Sequence, residues 1–295
     1  MMPPMTSTPQ PAILALQPAA ARFLTFGLRP GADPVALVRR LADGEHDPKT
    51  VVGVGLPLAQ GAALRIDGLR GFPGDLMPFP ATQHALWLAL THGEGGALFD
   101  AGRAFARRVA AELDLVEEVD AFFYRGGRDL SGFEDGTENP TGDDAVRAAI
   151  VAARGDGSDG GSFVAVQRWV HDLEAVERMS PQARARAIGR DRESNDELED
   201  APASAHVKRT DQESFDPDAH VVRRSMPYGG VREHGLYFIA YGESLDRFER
   251  QLRRMAGEED GVPDGLLLFT RAVTGGYYFC PPVRAGRLDL RPANP

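Results

Sequence analysis

Residues 162–189 read SFVAVQRWVHDLEAVERMSPQARARAIG. Ser162 to His171 is rich in β-branched and aromatic side chains and predicts a strand. Helix-forming residues fill 173–189, with a break and a restart at Ser180-Pro181. Further along, Val221–Ser225 and Leu236–Tyr241 predict two strands. Leu245–Met255 predicts an amphipathic helix with Phe248, Leu252 and Met255 on one face, and Tyr277–Cys280 predicts a last strand. The order is βαββαβ, the ferredoxin-like pattern.

Working back from Ser162, the same order occurs once before. Phe23–Leu28 predicts a strand and Pro34–Leu41 a helix with Asp33 as N-cap. Val51–Val54 and His84–Thr91 predict strands. A helix is expected over 97–112, where Leu98, Phe99, Phe105, Val109 and Ala110 recur at helical spacing. Leu115–Tyr124 then returns to strand. The expected fold is therefore α+β: duplicated ferredoxin-like βαββαβ units packed sheet to sheet, in the manner of a dimeric α/β barrel. The units are expected over 12–150 and 151–295, with the boundary in the Gly/Asp-rich stretch 129–161 and a flexible Pro/Ser/Thr-rich tail over 1–11. Length agrees, since 295 residues suit two domains.

Composition narrows the function. Hydrophobic residues make up 42% and charged residues 26%, as in ordinary globular proteins. A net charge of −10 argues against nucleic acid as a partner, because phosphates call for a Lys/Arg-rich face. The lone Cys280 excludes internal disulfides and cysteine metal cages, and its strand setting suggests an inert thiol. No apolar run approaches the roughly 20 residues of a membrane span. The first residues have no basic n-region, so secretion is not expected.

The densest signal for chemistry is GFEDGTENP at 132–140, two acids between glycines in a long loop. Glycine lets backbone approach a ligand closely, and a carboxylate there can move protons; solvated acids in an Asx-turn are the bland alternative. The seven histidines show neither HxxxH nor HExxH spacing, which removes a zinc hydrolase of that kind. His206 and His220 both stand near the entry to a predicted strand, and spacing does not choose between them. Arg223 and Arg224 must point to opposite faces of a strand, so an inward guanidinium would need an anion. Walker A, GxSxG and the full dinucleotide fingerprint are absent. Trp87, Trp169 and the aromatic pairs Tyr237-Phe238 and Tyr277-Tyr278 read as core.

Taken in order, RDLSGFEDGTENP (128–140), GGSFVAVQRWVHDL (160–173), IGRDRESNDEL (188–198), SAHVKR (204–209), VVRRSMPYG (221–229), HGLYFIAY (234–241) and VTGGYYF (273–279) resemble the dye-decolorising peroxidases, in particular their bacterial B (P) type. The likeness is close from about 80 to 280 and looser before that. It implies a duplicated ferredoxin-like fold holding one haem b per chain. It implies reduction of hydrogen peroxide and oxidation of bulky aromatic donors through a ferryl intermediate, in a cytoplasmic homo-oligomer without nucleic-acid or membrane partners. A haem carrier or iron-releasing factor on the same fold is the alternative. By the same resemblance His206 is the axial ligand and His220 is not. Asp264 is then the carboxylate behind His206. Asp135 and Arg223 are the distal catalytic pair and Ser225 takes the distal polar position. Arg190 partners a haem propionate, and Gly136, Thr137 and Glu138 belong to the cofactor site, with Glu138 at the peroxide entry.

Overall fold

The computed structural model describes residues 7–155 and 157–290. The first half runs β1 (Ala20–Leu28), α1 (Pro34–Asp43), β2 (Thr50–Gly55), α2 (Leu56–Gly61), β3 (Leu86–Leu90), α3 (Gly95–Val109), β4 (Leu113–Phe122) and α4 (Gly142–Ala149). The second runs β5 (Ser162–His171), α5 (Leu173–Arg178), α6 (Pro181–Ile188), α7 (His206–Arg209), β6 (Val222–Arg223), β7 (Met226–Gly229), β8 (His234–Gly242), α8 (Asp246–Met255), β9 (Thr270–Ala272), β10 (Gly276–Cys280) and the short hairpin β11 (Val283–Arg284) and β12 (Arg287–Leu288).

Asp33 caps α1 as expected, its carboxylate accepting from the N–H groups of Val35 and Ala36. The break between α5 and α6 falls at Ser180, whose hydroxyl caps α6. The expected strand over 221–225 is shorter: only Val222 and Arg223 pair with β8, and the chain leaves the ladder before β7. α2, α4, α7, β7, β9 and the terminal hairpin lie outside the expected elements. All are six residues or fewer except α4, which follows a Gly-rich loop that masks its start.

Ten strands form one antiparallel sheet in the order β6-β8-β7-β4-β1-β3-β2-β10-β5-β9. β8 also pairs with β5 along its length, which closes the sheet into a barrel. The halves therefore meet edge to edge, through β4–β7 and β2–β10, and face each other across a shared interior. Phe23 stacks on Tyr237 with ring centroids 4.2 Å apart, and Trp87 Nε1 donates to Tyr237 Oη at 3.0 Å. Cys280 lies in this interior, where burial pushes its thiol far up.

The expected tail of residues 1–11 lies outside the described residues over 1–6. Beyond them it is not a tail. Thr8 pairs with Val283. Gln10 is 0% exposed; its amide donates to Val52 O and Pro281 O and accepts from Val52 N. One side chain with donor and acceptor thus satisfies three buried backbone groups.

Candidate active site

His206 opens the one-turn helix α7. Arg209, at the other end of that turn, is buried and forks onto Asp260 at 2.7 and 2.9 Å, which fixes α7 against the segment after α8. Gly189 makes the approach possible. It ends α6 at φ +97°, and a Cβ there would stand 2.3 Å from Val207 Cγ2. Behind His206, Asp264 is 2% exposed. Its Oδ2 lies 2.8 Å from His206 Nδ1, and its Oδ1 accepts from Leu266 N. A carboxylate accepts here, so Nδ1 carries the proton and Nε2 is the nitrogen left for the cavity.

The opposite wall is built from β6 and the GFEDGTENP loop. Arg223 and Asp135 approach to 3.9 Å, too far for a direct hydrogen bond, and Arg223 Nε is buried without a partner. Asn139 ties the loop to the strand with two bonds: its Oδ1 accepts from Arg223 N at 2.7 Å and its Nδ2 donates to Arg223 O at 3.0 Å. Gly136 permits that clamp, since at φ +80° a Cβ would lie 2.7 Å from Asn139 Nδ2. Arg224 points the other way and donates to the carbonyls of Leu14 and Ala15. It thus needs no anion; carbonyl oxygens satisfy it.

Between the walls lies a cavity of about 580 Å³, lined by Asp135, Thr137, Glu138, Arg190, His206 and Arg223. It continues inward into a chamber of about 110 Å³, bounded by Phe133, Trp169, Phe238, Leu252 and Met255. Arg190, at the mouth, is buried and donates to Glu138 and Glu197 at 2.6 and 2.7 Å. His220 also reaches the cavity, but its nearest carboxylate, Asp218, is 3.6 Å away and more than half exposed. A concavity of about 630 Å³ on α1 and the terminal hairpin is larger, but its lining is mostly apolar and no catalytic group converges there.

Ser225 departs from expectation. It does not line either part of the cavity. Its hydroxyl accepts from Ile239 N, because the chain has left the β6 ladder by this residue. Gly136 likewise shapes the loop without lining the cavity.

Three contributors were missed from the sequence. Asn139 stands in the GFEDGTENP stretch with nothing local to mark its bonds to Arg223. His171 and Asp129, 42 residues apart, form a buried pair with Nε2 2.9 Å from Oδ1. Burial alone would raise the Asp129 carboxyl. The charge and hydrogen bond of His171, with the bonds from Ser131, outweigh it and hold the group below its usual range. Only the capping potential of Asp129 before Ser131 was visible locally.

With this geometry in hand, comparison with known proteins is specific. Residues 126–285, over half the chain, match the family model described as Dyp-type peroxidase, C-terminal. A dye-decolorizing peroxidase of Mycobacterium tuberculosis is 33% identical over 94% of this chain and 89% of its own length. Among solved structures, the dye-decolorizing protein from Vibrio cholerae superimposes with a TM-score of 0.81 at 32% identity, covering 92% of this chain and 96% of its own. A Rhodococcus jostii DypB variant in complex with heme gives a TM-score of 0.83 at 31% identity, covering 92% and 95%.

Proposed function

The chain belongs to the dye-decolorising peroxidase family, and from that membership we propose which of its groups carry the reaction. It is a haem-dependent peroxidase that reduces peroxide and oxidises an organic donor. The cavity suits haem on its own terms. The inner chamber offers an apolar wall to a macrocycle, the polar outer cavity offers Arg190 to its carboxylates, and His206 offers one free ring nitrogen. Two buried donors without partners, Arg223 Nε and Gln167 Nε2, border the same space. An unpaired buried donor costs about 1–3 kcal/mol, so a group that completes this site relieves a real penalty.

We assign His206 Nε2 as the nitrogen that would hold the haem iron, with Asp264 fixing the ring and raising its basicity. Haem supplies the redox chemistry when bound. On the opposite wall Asp135 takes the proton from one peroxide oxygen and delivers it to the other. Arg223 aims its N–H groups at the charge that develops as the O–O bond breaks. Arg190 is the candidate propionate partner, and its present bonds to Glu138 and Glu197 would then exchange for that carboxylate. Glu138 and Thr137 line the entry.

The observation that carries this reading is the convergence on one cavity of His206 backed by Asp264 and of Asp135 facing Arg223. A haem carrier needs the first pair only. Steady-state oxidation of an anthraquinone dye, with and without hydrogen peroxide, tests it: peroxide-dependent turnover is expected. Stoichiometric haem binding with no turnover would favour the carrier. We further read the chain as a cytoplasmic homo-oligomer of two units, 12–150 and 151–295, the first delivering Asp135 and the second His206, Arg223 and Asp264. Sedimentation of the haem-loaded protein tests the oligomer. Among the described residues, no helix is long and apolar enough to cross a membrane.

A further inference from the structure

Asp135 stands on a loop held at both ends. At its far end is the Asn139 clamp on Arg223. At its near end Asp129 closes a tight turn: its N–H donates to Phe133 O, its carbonyl accepts from Gly132 N, and Asp135 N donates back to Gly127 O. Asp129 Oδ2 accepts from Ser131 N at 2.8 Å. That leaves Oδ1 for His171 Nε2 at 2.9 Å.

His171 is the last residue of β5 and sits directly opposite Thr270 of β9. Its Nδ1 lies 2.6 Å from Thr270 Oγ1, so the ring is held in one orientation by a neighbouring strand. The imidazole is 7% exposed and borders the inner chamber together with Asp129 and Asp135. A largely buried polar pair is a poor way to gain stability alone, because an apolar pair of similar volume does as well or better. It is a good way to fix a direction, since its hydrogen bonds define both partners' orientations.

We propose that His171, acting through Asp129, is a positioning residue that sets where Asp135 stands relative to Arg223. The pair anchors the loop's start to the β5–β9 edge while Asn139 anchors its end to β6. The 3.9 Å separation of Asp135 and Arg223 is the gap left between those two anchors. The proposal rests on the reading of Asp135 as the proton-shuttling group. It confines the role of His171 to peroxide activation, leaving haem retention and donor binding to other residues.

The test uses haem-loaded His171→Phe and Asp129→Asn, each alone and combined with Asp135→Asn. Asp129→Asn keeps the side chain's size and gives a second route should His171→Phe fold poorly. Stopped flow follows the peroxide-dependent change in the haem spectrum, and steady-state assays give the donor KM. Each single variant should slow the peroxide step roughly tenfold, within the hundredfold that a misplacement of about 1 Å can cost. The haem-to-protein ratio and donor KM should stay at wild-type values. In the Asp135→Asn background neither change should slow the step further. His171→Gln, which can still donate one N–H to Asp129, should recover part of the rate. Equal losses in both backgrounds would mean a general structural role and overturn the proposal, as would wild-type peroxide rates in both single variants. A wild-type rate in Asp135→Asn alone would overturn the Asp135 assignment first, and this proposal with it.

Discussion

The two walls of the cavity handle their polar groups in opposite ways. On the His206 wall donors and acceptors are matched: His206 Nδ1–H donates to Asp264 Oδ2, and Leu266 N–H donates to Asp264 Oδ1. On the Arg223 wall the guanidinium and Asp135 stop 3.9 Å apart, and Arg223 Nε has no partner. A satisfied wall is suited to holding one ligand in one orientation. An unsatisfied wall keeps its hydrogen-bonding capacity for a substrate, which is how preorganised donors act in catalysis. The larger concavity on α1 offers a haem neither arrangement: its walls are mostly apolar and hold no histidine.

The largest expected effect tests the first wall. His206→Ala should abolish haem retention, whereas His220→Ala should keep it, as judged by Soret absorbance per protein after haem loading. The reverse result would exchange the two histidines and dissolve the contrast. Next, Arg223→Leu should slow peroxide activation by about a thousandfold without lowering the melting temperature of the haem-free protein, because it removes an unpaired buried donor. A melting temperature depressed as by a core substitution would show that this wall is structural after all.

Asp135→Asn should cost less, about a hundredfold in the same step. A loss equal to that of Arg223→Leu would make the two a single inseparable unit. Asp264→Asn should weaken haem affinity by about 10–100-fold, read from the rate of haem transfer to a scavenging globin. Unchanged transfer would mean that His206 needs no carboxylate behind it. The smallest effect concerns pH. The folded Asp129 carboxyl is held below its ordinary range, so its stabilising contribution is present above the unfolded value of about 3.9 and is lost as pH falls through the lower folded value. The melting-temperature gap between wild type and Asp129→Asn should therefore narrow as pH drops below about 4. A gap constant from pH 7 downward would remove this anchor from the distal wall.

Much of the fold is legible in local pattern. The strand Ser162–His171 and the break at Ser180 have the boundaries that periodicity and capping suggest. Short elements such as α7 escape, because four residues hold less than two helical turns and Arg209 fixes them from a distance through Asp260. The barrel-like packing follows from the doubled βαββαβ order, but the particular β8–β5 and β10–β2 pairings that close it leave no mark on either strand alone. Of the site, His206, Arg223 and Asp135 stand out only through their ordered motif contexts. Ser225, assigned by resemblance alone, instead accepts from Ile239 N with its hydroxyl and lies off the cavity lining. Asn139 and the His171–Asp129 pair were invisible because their partners lie 84 and 42 residues away.

β10 has a consequence for how the protein is made. It follows β1 to β9 in the chain, yet it lies between β2 and β5, pairing Tyr278 with Gly55 and with Val164. Until it emerges, β2 has an unpaired edge, and exposed edges invite wrong partners. Thr270 and Leu266, which border the inner chamber, also come late in the chain. At about 5–20 residues per second, the roughly 220 residues between β2 and β10 leave the β2 edge unpaired for about 10–45 seconds of translation. The lining of the cavity is complete in sequence by Thr270, whereas the sheet itself closes only when β10 has filled the place between β2 and β5.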